Sequence, residues 1–384
     1  MNVIQTSNGM KEIRVLLVGG GSGGHVYPLV AVAQSLKNKT SQAGINLRLM
    51  LLGGSFIEKA AKEAGLSYKI ISAGKLRRYS SLDNFFDIGR FLLGFLQSFL
   101  YVFLFMPDAV FAKGGAPSLA PCIIARLFFI PVYIHESDSV PGLANKIIGR
   151  LSEKVFLSFK TAEKYFEGAD VVYSGNPTRR NIFEGDKNAA REYFDLHQPR
   201  PTMLIIGGSQ GAKVINDVIV SSLVVMSQKF NIIHQCGESQ FASVKKSVDT
   251  ILQEGTRQYA APVQIYYRYY PFLDEKRLSL AYALADIFIS RAGAGSIFEI
   301  AQAGKPAVIV PIAQSTSNHQ YLNAFEFSLS GGFLLEESNF NRESLMREIE
   351  TLLNPDTYTK VSNKIKTFAT PDAADMIAAE LLKI

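Results

Sequence analysis

The chain has 384 residues, with 40 Lys and Arg against 34 Asp and Glu and a formal charge of +6. That length accommodates two or three domains with their own cores, and the mild basic excess fits a phosphorylated substrate or an anionic membrane surface without requiring nucleic acid. Two cysteines without a CxxC spacing exclude a disulfide framework and fit a reducing cytoplasm. The polar stretch 1–10 lacks the apolar core of an export signal.

An unbroken apolar run over 13–18 leads into Gly19-Gly20-Gly21-Ser22-Gly23-Gly24-His25. Such a run reads as a parallel strand buried on both faces, and a glycine turn entering a helix leaves backbone N–H groups to hold an anion. Gly19, Gly21 and Gly24 satisfy GxGxxG. The next strand, 47–52, ends in Gly53-Gly54, however, where a dinucleotide site needs an acidic residue for the ribose. No P-loop, no metal-like histidine spacing and no Asp-x-Asp occurs. His25 at the helix start is a candidate base, because the helix dipole favours a neutral ring, although a structural role fits equally.

The pattern predicts helices over 28–38 and 56–64 and strands over 68–71, 109–111, 132–135 and 155–157, an alternation that means a doubly wound α/β sheet. Between two of these strands, 91–106 reads FLLGFLQSFLYVFLFM. Broken by Gln97 and Ser98, it falls short of the roughly 20 apolar residues that span a bilayer. The residues alone favour a helix buried in its domain. With Lys75, Arg77, Arg78 and Arg90 nearby, the alternative is a basic-rimmed apolar surface that docks on a membrane. Further on, His135, Glu136 and Asp138 gather at a strand end, where open α/β sheets build sites. Asp138 or Ser139 could instead cap the helix that carries Asn145 and Lys146.

A proline-bearing crossing over 175–201 precedes a second apolar run and glycine turn, 203–206 followed by Gly207-Gly208-Ser209-Gln210-Gly211-Ala212. The same fold is thus used twice, with domains at 12–176 and 177–371 and a tail helix over about 372–384 free to pack back on the first. Strands are expected over 232–235, 263–267, 287–290 and 307–310, with helices starting near Ala212, Gly295 and Gln320. Ser296 and Glu299 have capping-box spacing. Alternatively, Glu299 at the mouth of a sheet accepts hydrogen bonds from both hydroxyls of a ribose.

In order along the chain, GGGSGGHVYP, HESDSVPGLANK, GNPTR, GGSQGA, SRAGAGSIFEIAQAGKPAVIVP and HQYLNA resemble the MurG family, transferases that add N-acetylglucosamine to lipid I to give lipid II for peptidoglycan. The resemblance implies a GT-B fold, two Rossmann-like doubly wound parallel-sheet domains facing a central cleft, and inverting transfer with no metal at the donor. It implies that UDP-GlcNAc lies mainly on the second domain. There Ser209 would hold the diphosphate, Arg179 would add charge and Leu273 would lie against the uracil. Glu299 would take the ribose, and Ala294, Gly295, Ser296 and Gln320 would line the phosphates and sugar.

From the first domain, Ser22, Gly23, Gly24, Asp138 and Asn145 would face the donor. Gly20, Gly21, His25, Gly114 and Gly115 would meet the acceptor, lipid I. His25 is the first candidate base, with Glu136 and Asp138 behind it. The implied location is peripheral, on the anionic cytoplasmic face of the membrane, which shifts the reading of 91–106 toward docking. Three departures stand out: Glu136-Ser137-Asp138 replaces the family's Glu-Gln-Asn, Ala116 replaces a tyrosine, and the spacing before His319 is one residue longer. Competing readings are another GT-B enzyme, with a different lipid acceptor or 2-epimerase activity, and a non-catalytic nucleotide-sugar binder.

Overall fold

The computed structural model describes residues 12–20, 23–73, 83–208, 211–315 and 318–384. They form two compact units, the first running through Arg179 and resuming at Thr370–Ile384, the second comprising Arg180–Ala369. In the first unit the elements alternate: β1 (Glu12–Gly19), α1 (Gly23–Gln42), β2 (Asn46–Gly53), α2 (Ile57–Glu63), β3 (Ser67–Ile70) and α3 (Asp83–Phe105). Then come β4 (Ala109–Ala112), α4 (Ala116–Leu127), β5 (Val132–Glu136), α5 (Leu143–Gly149), β6 (Lys154–Leu157) and β7 (Val171–Tyr173). Among the described residues they make a parallel sheet in the order β3-β2-β1-β4-β5-β6-β7. The strands are apolar without alternation because both faces are covered. Leu17, Leu51 and Phe111 face one core, and Leu16, Leu52 and Val110 face the other.

The second unit repeats the plan. It holds α6 (Lys187–Phe194), β8 (Thr202–Ile206), α7 (Lys213–Lys229), β9 (Asn231–Gln235), α8 (Phe241–Glu254), α9 (Arg257–Tyr266) and β10 (Tyr267–Tyr270). These are followed by α10 (Glu275–Leu284), β11 (Ile287–Ser290), α11 (Ala294–Ala303), β12 (Ala307–Ile309), α12 (His319–Leu329), β13 (Phe333–Leu334), α13 (Arg342–Leu353) and α14 (Pro355–Lys366). The sheet order is β10-β9-β8-β11-β12-β13. The duplication extends beyond the glycine turns. Asp108 accepts the Arg14 N–H at 2.7 Å, and Asp286 accepts the Thr202 N–H at 2.9 Å, so one device pins the central strand pair of each sheet. Strand order reverses between β1 and β4 and between β8 and β11, the place where open α/β sheets bind ligands.

The tail forms α15 (Ala373–Leu381), whose Ile377, Ala378 and Leu381 share one stripe and join the core beneath α1. Ser35 of α1 donates to Asp375, and Lys154 pairs with Glu380 at 2.6 Å.

Two expectations are corrected. The stretch 263–267 is largely helical: α9 runs to Tyr266 with Val263 as its buried residue, and the strand is the aromatic Tyr267–Tyr270 that follows. The apolar run 91–106 is not buried on all sides. Gly94, Ser98 and Val102 turn inward on α3, whereas Leu92, Leu96, Phe99, Leu100, Phe103 and Leu104 are exposed. Small residues at that seam let α3 lie close on its neighbours, leaving the large side chains outward. Phe99 and Phe103 pack around Phe128, and the face continues through Leu127 and Phe129. No helix among the described residues is long and apolar enough to cross a membrane. Arg90 is exposed at the start of this face, while Lys75, Arg77 and Arg78 lie outside the described residues.

Candidate functional site

In the first unit the ends of β1, β4 and β5 converge. Gly21 and Ser22 lie outside the described residues, and α1 begins at Gly23, earlier than the expected 28, with Gly24 and His25 in its first turn. The loop after β4 comes up against the first glycine turn. Gly115 adopts φ +82, and a Cβ there would sit 2.6 Å from the Gly20 carbonyl, so this close approach requires glycine. Gly114 lies flat against Asn145 Oδ1 in the same way. Gly20, Gly114, Gly115 and Asn145, distant in sequence, thus form one surface.

Glu136 is buried at the end of β5, and both of its oxygens are engaged. One accepts the Asp138 N–H at 2.8 Å and the other accepts Asn145 Nδ2 at 2.7 Å. Burial, together with the Asp138 charge, pushes the Glu136 carboxyl up to about 7. Asn145 Oδ1 is buried and makes no hydrogen bond among the described residues, which leaves a buried acceptor at this surface. His25 is held down at about 4, mainly by burial and then by the Lys113 charge, with Asp138 acting in the opposite direction. Its imidazole is therefore neutral at physiological pH and able to accept a proton, with the Asp138 carboxylate acting to favour the protonated ring. α5 starts after Gly142, so neither Asp138 nor Ser139 is its N-cap.

Two residues here escaped the sequence reading. Lys113 directly follows β4 and is buried, and Asn176, also buried, follows β7. Lys113 Nζ contacts His135 Nδ1 at 2.5 Å and Asn176 Oδ1 at 3.3 Å and also bonds Ser137 Oγ. A lysine between an apolar run and two glycines gave the only cue. Arg179 belongs to the first unit, beyond the expected boundary at 176. It is buried, with its guanidinium 4.0 Å over the ring of Tyr27 on α1.

The second unit gathers its candidates at the ends of β8 to β12. Gly211 takes φ +82, and a Cβ there would sit 2.2 Å from the Cys236 carbonyl, so the turn into α7 requires glycine. Ser209 lies outside the described residues. Gln235, which the sequence reading missed, ties this region together: its Oε1 accepts the Leu273 N–H at 2.9 Å and its Nε2 donates to the Gly208 carbonyl at 3.4 Å. The Leu273 side chain is buried.

α11 is capped by Gly293 without a side-chain hydrogen bond, and its first residues are Ala294, Gly295 and Ser296. The capping box is thereby overturned, because Ser296 sits inside the helix and not at its N-cap. The backbone N–H groups of that first turn lack helical acceptors and are of the kind that can hold an anion. Glu299 is half-buried one turn on, 3.4 Å from the Tyr282 hydroxyl. Gln320 lies on the first turn of α12, accepting the Ile312 N–H at 3.1 Å, and buried Asn323 ties that helix to the Ala292 carbonyl.

Comparison with known proteins agrees with this doubled architecture. Residues 15–157 match the glycosyltransferase family 28 N-terminal domain, and 202–377 match its C-terminal domain. A UDP-N-acetylglucosamine–N-acetylmuramyl-(pentapeptide) pyrophosphoryl-undecaprenol N-acetylglucosamine transferase of Flavobacterium psychrophilum is 33% identical over 382 residues, 98% of either chain. The protein of that name from Clostridium novyi is 36% identical over 89% of this chain and 91% of its own. The crystal structure of Acinetobacter baumannii MurG superposes with a TM-score of 0.69 at 26% identity, covering 97% of this chain and all of that one. A UDP-GlcNAc 2-epimerase from Neisseria meningitidis has the same fold, with a TM-score of 0.67 at 15% identity over 97% of this chain and 100% of that one. Two parallel doubly wound sheets, full-length likeness and matches in both halves make the chain a member of glycosyltransferase family 28, in the MurG group of GT-B enzymes.

Proposed function

We propose that this protein transfers N-acetylglucosamine from UDP-GlcNAc to the C4 hydroxyl of the MurNAc unit of lipid I, with inversion at the anomeric carbon, giving lipid II. The observation that carries the chemistry is the cluster of neutral His25, Asp138, Glu136 and Asn145 at the strand ends of the first unit. In the reaction the C4 oxygen forms a bond to the anomeric carbon as the bond to UDP breaks, and a base takes the hydroxyl proton. His25 is that base. Glu136 is less suited because two donors already occupy its oxygens, so it orients Asn145 and the Asp138 loop. Asn145 Oδ1 is an acceptor for a sugar hydroxyl.

On the second unit, the start of α11, which no side chain caps, and the glycine turn after β8 receive the diphosphate and stabilise the charge on the leaving UDP, while Glu299 holds the ribose. The exposed apolar face of α3, continued by Leu127 and Phe129, rests on the anionic cytoplasmic surface of the membrane and takes the lipid of the acceptor. A 2-epimerase has no use for such a face.

The test is transfer of labelled GlcNAc from UDP-GlcNAc to a short-chain lipid I analogue, with chelator present and UDP-GalNAc as competing donor. Product formed in chelator with preference for GlcNAc supports the proposal. UDP-GlcNAc binding without product refutes it.

A further inference from the structure

The mechanism above leaves one buried charge unused. Lys113 is 1% exposed, and its amine meets His135 Nδ1, Ser137 Oγ and Asn176 Oδ1. His135 Nε2 lies 2.8 Å from the Gly175 carbonyl, so Nε2 carries the hydrogen and Nδ1 is free to accept from the lysine. Three ammonium hydrogens therefore meet three neutral acceptors. The cation is saturated with hydrogen bonds, yet none of its partners carries an opposite charge.

The duplicated fold supplies an internal comparison. Lys113 directly follows β4 and Arg291 directly follows β11, the equivalent central strand of the second sheet. Arg291 pairs with Glu337 at 2.6 Å and donates to the Val310 and Pro311 carbonyls, which neutralises and fixes it. Lys113 instead spends its charge at longer range. Burial lowers the Lys113 amine to about 7, against the pull of the Glu136 and Asp138 carboxylates on either side of the Ser137 it bonds, so it carries its full charge in the acid range, where it acts in turn on His25.

We propose that Lys113 is a positioning residue of the transfer reaction: bonded to Ser137 and His135, its ammonium fixes the loop after β5 and sets the charge balance among Glu136, Asp138 and His25. This rests on the transferase reading. The titratable groups around it are His25 from α1 and His135, Glu136 and Asp138 from β5 and its loop. Lys113 depresses His25 and Asp138 opposes it. Loss of the ammonium therefore raises the pH at which His25 becomes protonated and inactive as a base.

The experiment compares wild type, Lys113→Met, and Lys113→Met with Asp138→Asn, using pH profiles of GlcNAc transfer and ¹⁵N-histidine NMR titration of the purified proteins. For Lys113→Met we expect kcat to fall at least about tenfold with donor KM within about twofold, because the loop after β5 loses the hydrogen bonds that place Asp138 beside His25, while the donor is not touched. We also expect the acid limb and the His25 titration to rise by about one pH unit or more, and to move back down in the double variant. An activity loss equal at every pH, with His25 titrating as in wild type, overturns the proposal. Should Lys113→Met fail to fold, Ser137→Ala decides: it removes the hydrogen bond by which the lysine holds the loop, kcat falls with donor KM within about twofold, and an unchanged kcat overturns the proposal. A wild type that makes no product refutes the transferase reading, while the NMR titrations still decide the hold of Lys113 on His25.

Discussion

The exposed face of α3 permits a quantitative test of membrane docking. Leu96 and Leu104 are 67% and 68% exposed, so the fold gains little from them and an apolar phase stands to gain much. Full burial of a leucine is worth roughly 1.5–3 kcal/mol, so the two exposed fractions together contribute about 2–4 kcal/mol on transfer into a bilayer interface. Leu96→Gln with Leu104→Gln should weaken partitioning into phosphatidylglycerol-rich vesicles by about 30- to 1000-fold, at ~1.4 kcal/mol per tenfold. The melting temperature should stay within a degree or two of wild type, since neither side chain belongs to the core. Val102 on the same helix is fully buried, and Val102→Ala should do the reverse, lowering stability by about 1–3 kcal/mol and leaving vesicle binding by the folded protein intact. Vesicle sedimentation and calorimetry read the two quantities separately. Unchanged sedimentation of the double variant, or a loss of stability matching that of Val102→Ala, would refute the reasoning.

Other expectations follow from the two strand-end sites and the cores. Glu299→Ala should weaken UDP-GlcNAc binding by about 10- to 100-fold, the worth of hydrogen bonds to a charged group, with no loss of melting temperature because α11 is capped by Gly293. Titration calorimetry and thermal melts check both halves of that statement. His234 is buried between the Tyr267 hydroxyl and Asn216, and burial holds it at about 3. The unfolded chain takes up that proton near pH 6.5, so stability from the neutral ring is complete above 6.5 and is lost as pH falls toward 3, at up to about 1.4 kcal/mol per pH unit. Urea midpoints of His234→Gln should accordingly fall less steeply on acidification than those of wild type. Ile377→Ala should cost about 2–4 kcal/mol in chemical denaturation, because that side chain is fully buried in the core under α1.

The two glycine turns and their unalternated strands made the repeated α/β plan legible, since parallel strands covered on both faces leave a strong apolar signature. The stretch 263–267 misled because β-branched and aromatic residues there suit a strand, while the helix is set by packing of Val263 and a strand of tyrosines lies just beyond. Ser296 and Glu299 matched a capping box by spacing alone. The chain enters α11 through Gly293, and spacing carries no information about which residue leaves helical geometry first. Of the site residues, His25, Glu136, Asp138 and Asn145 were readable from segments that gather polar groups at strand ends. Lys113, Asn176 and Gln235 were not, because each sits singly in its segment and acquires partners only when neighbouring strands align. Arg179 was readable as a charge but not as a partner for Tyr27, a contact that depends on the chain passing back over α1.

The return of α15 to the first unit bears on how the chain is made. Residues 180–369 are one continuous stretch and can close their core as soon as they leave the ribosome. The first unit cannot, since Ile377, Ala378 and Leu381 complete the core around Leu29, Val32 and Leu36. The sheet translated first thus waits for the segment translated after the whole second unit, with the face beneath α1 uncovered in the interval. Nascent chains ending before residue 370 should bind chaperones through that face, and release should coincide with emergence of α15.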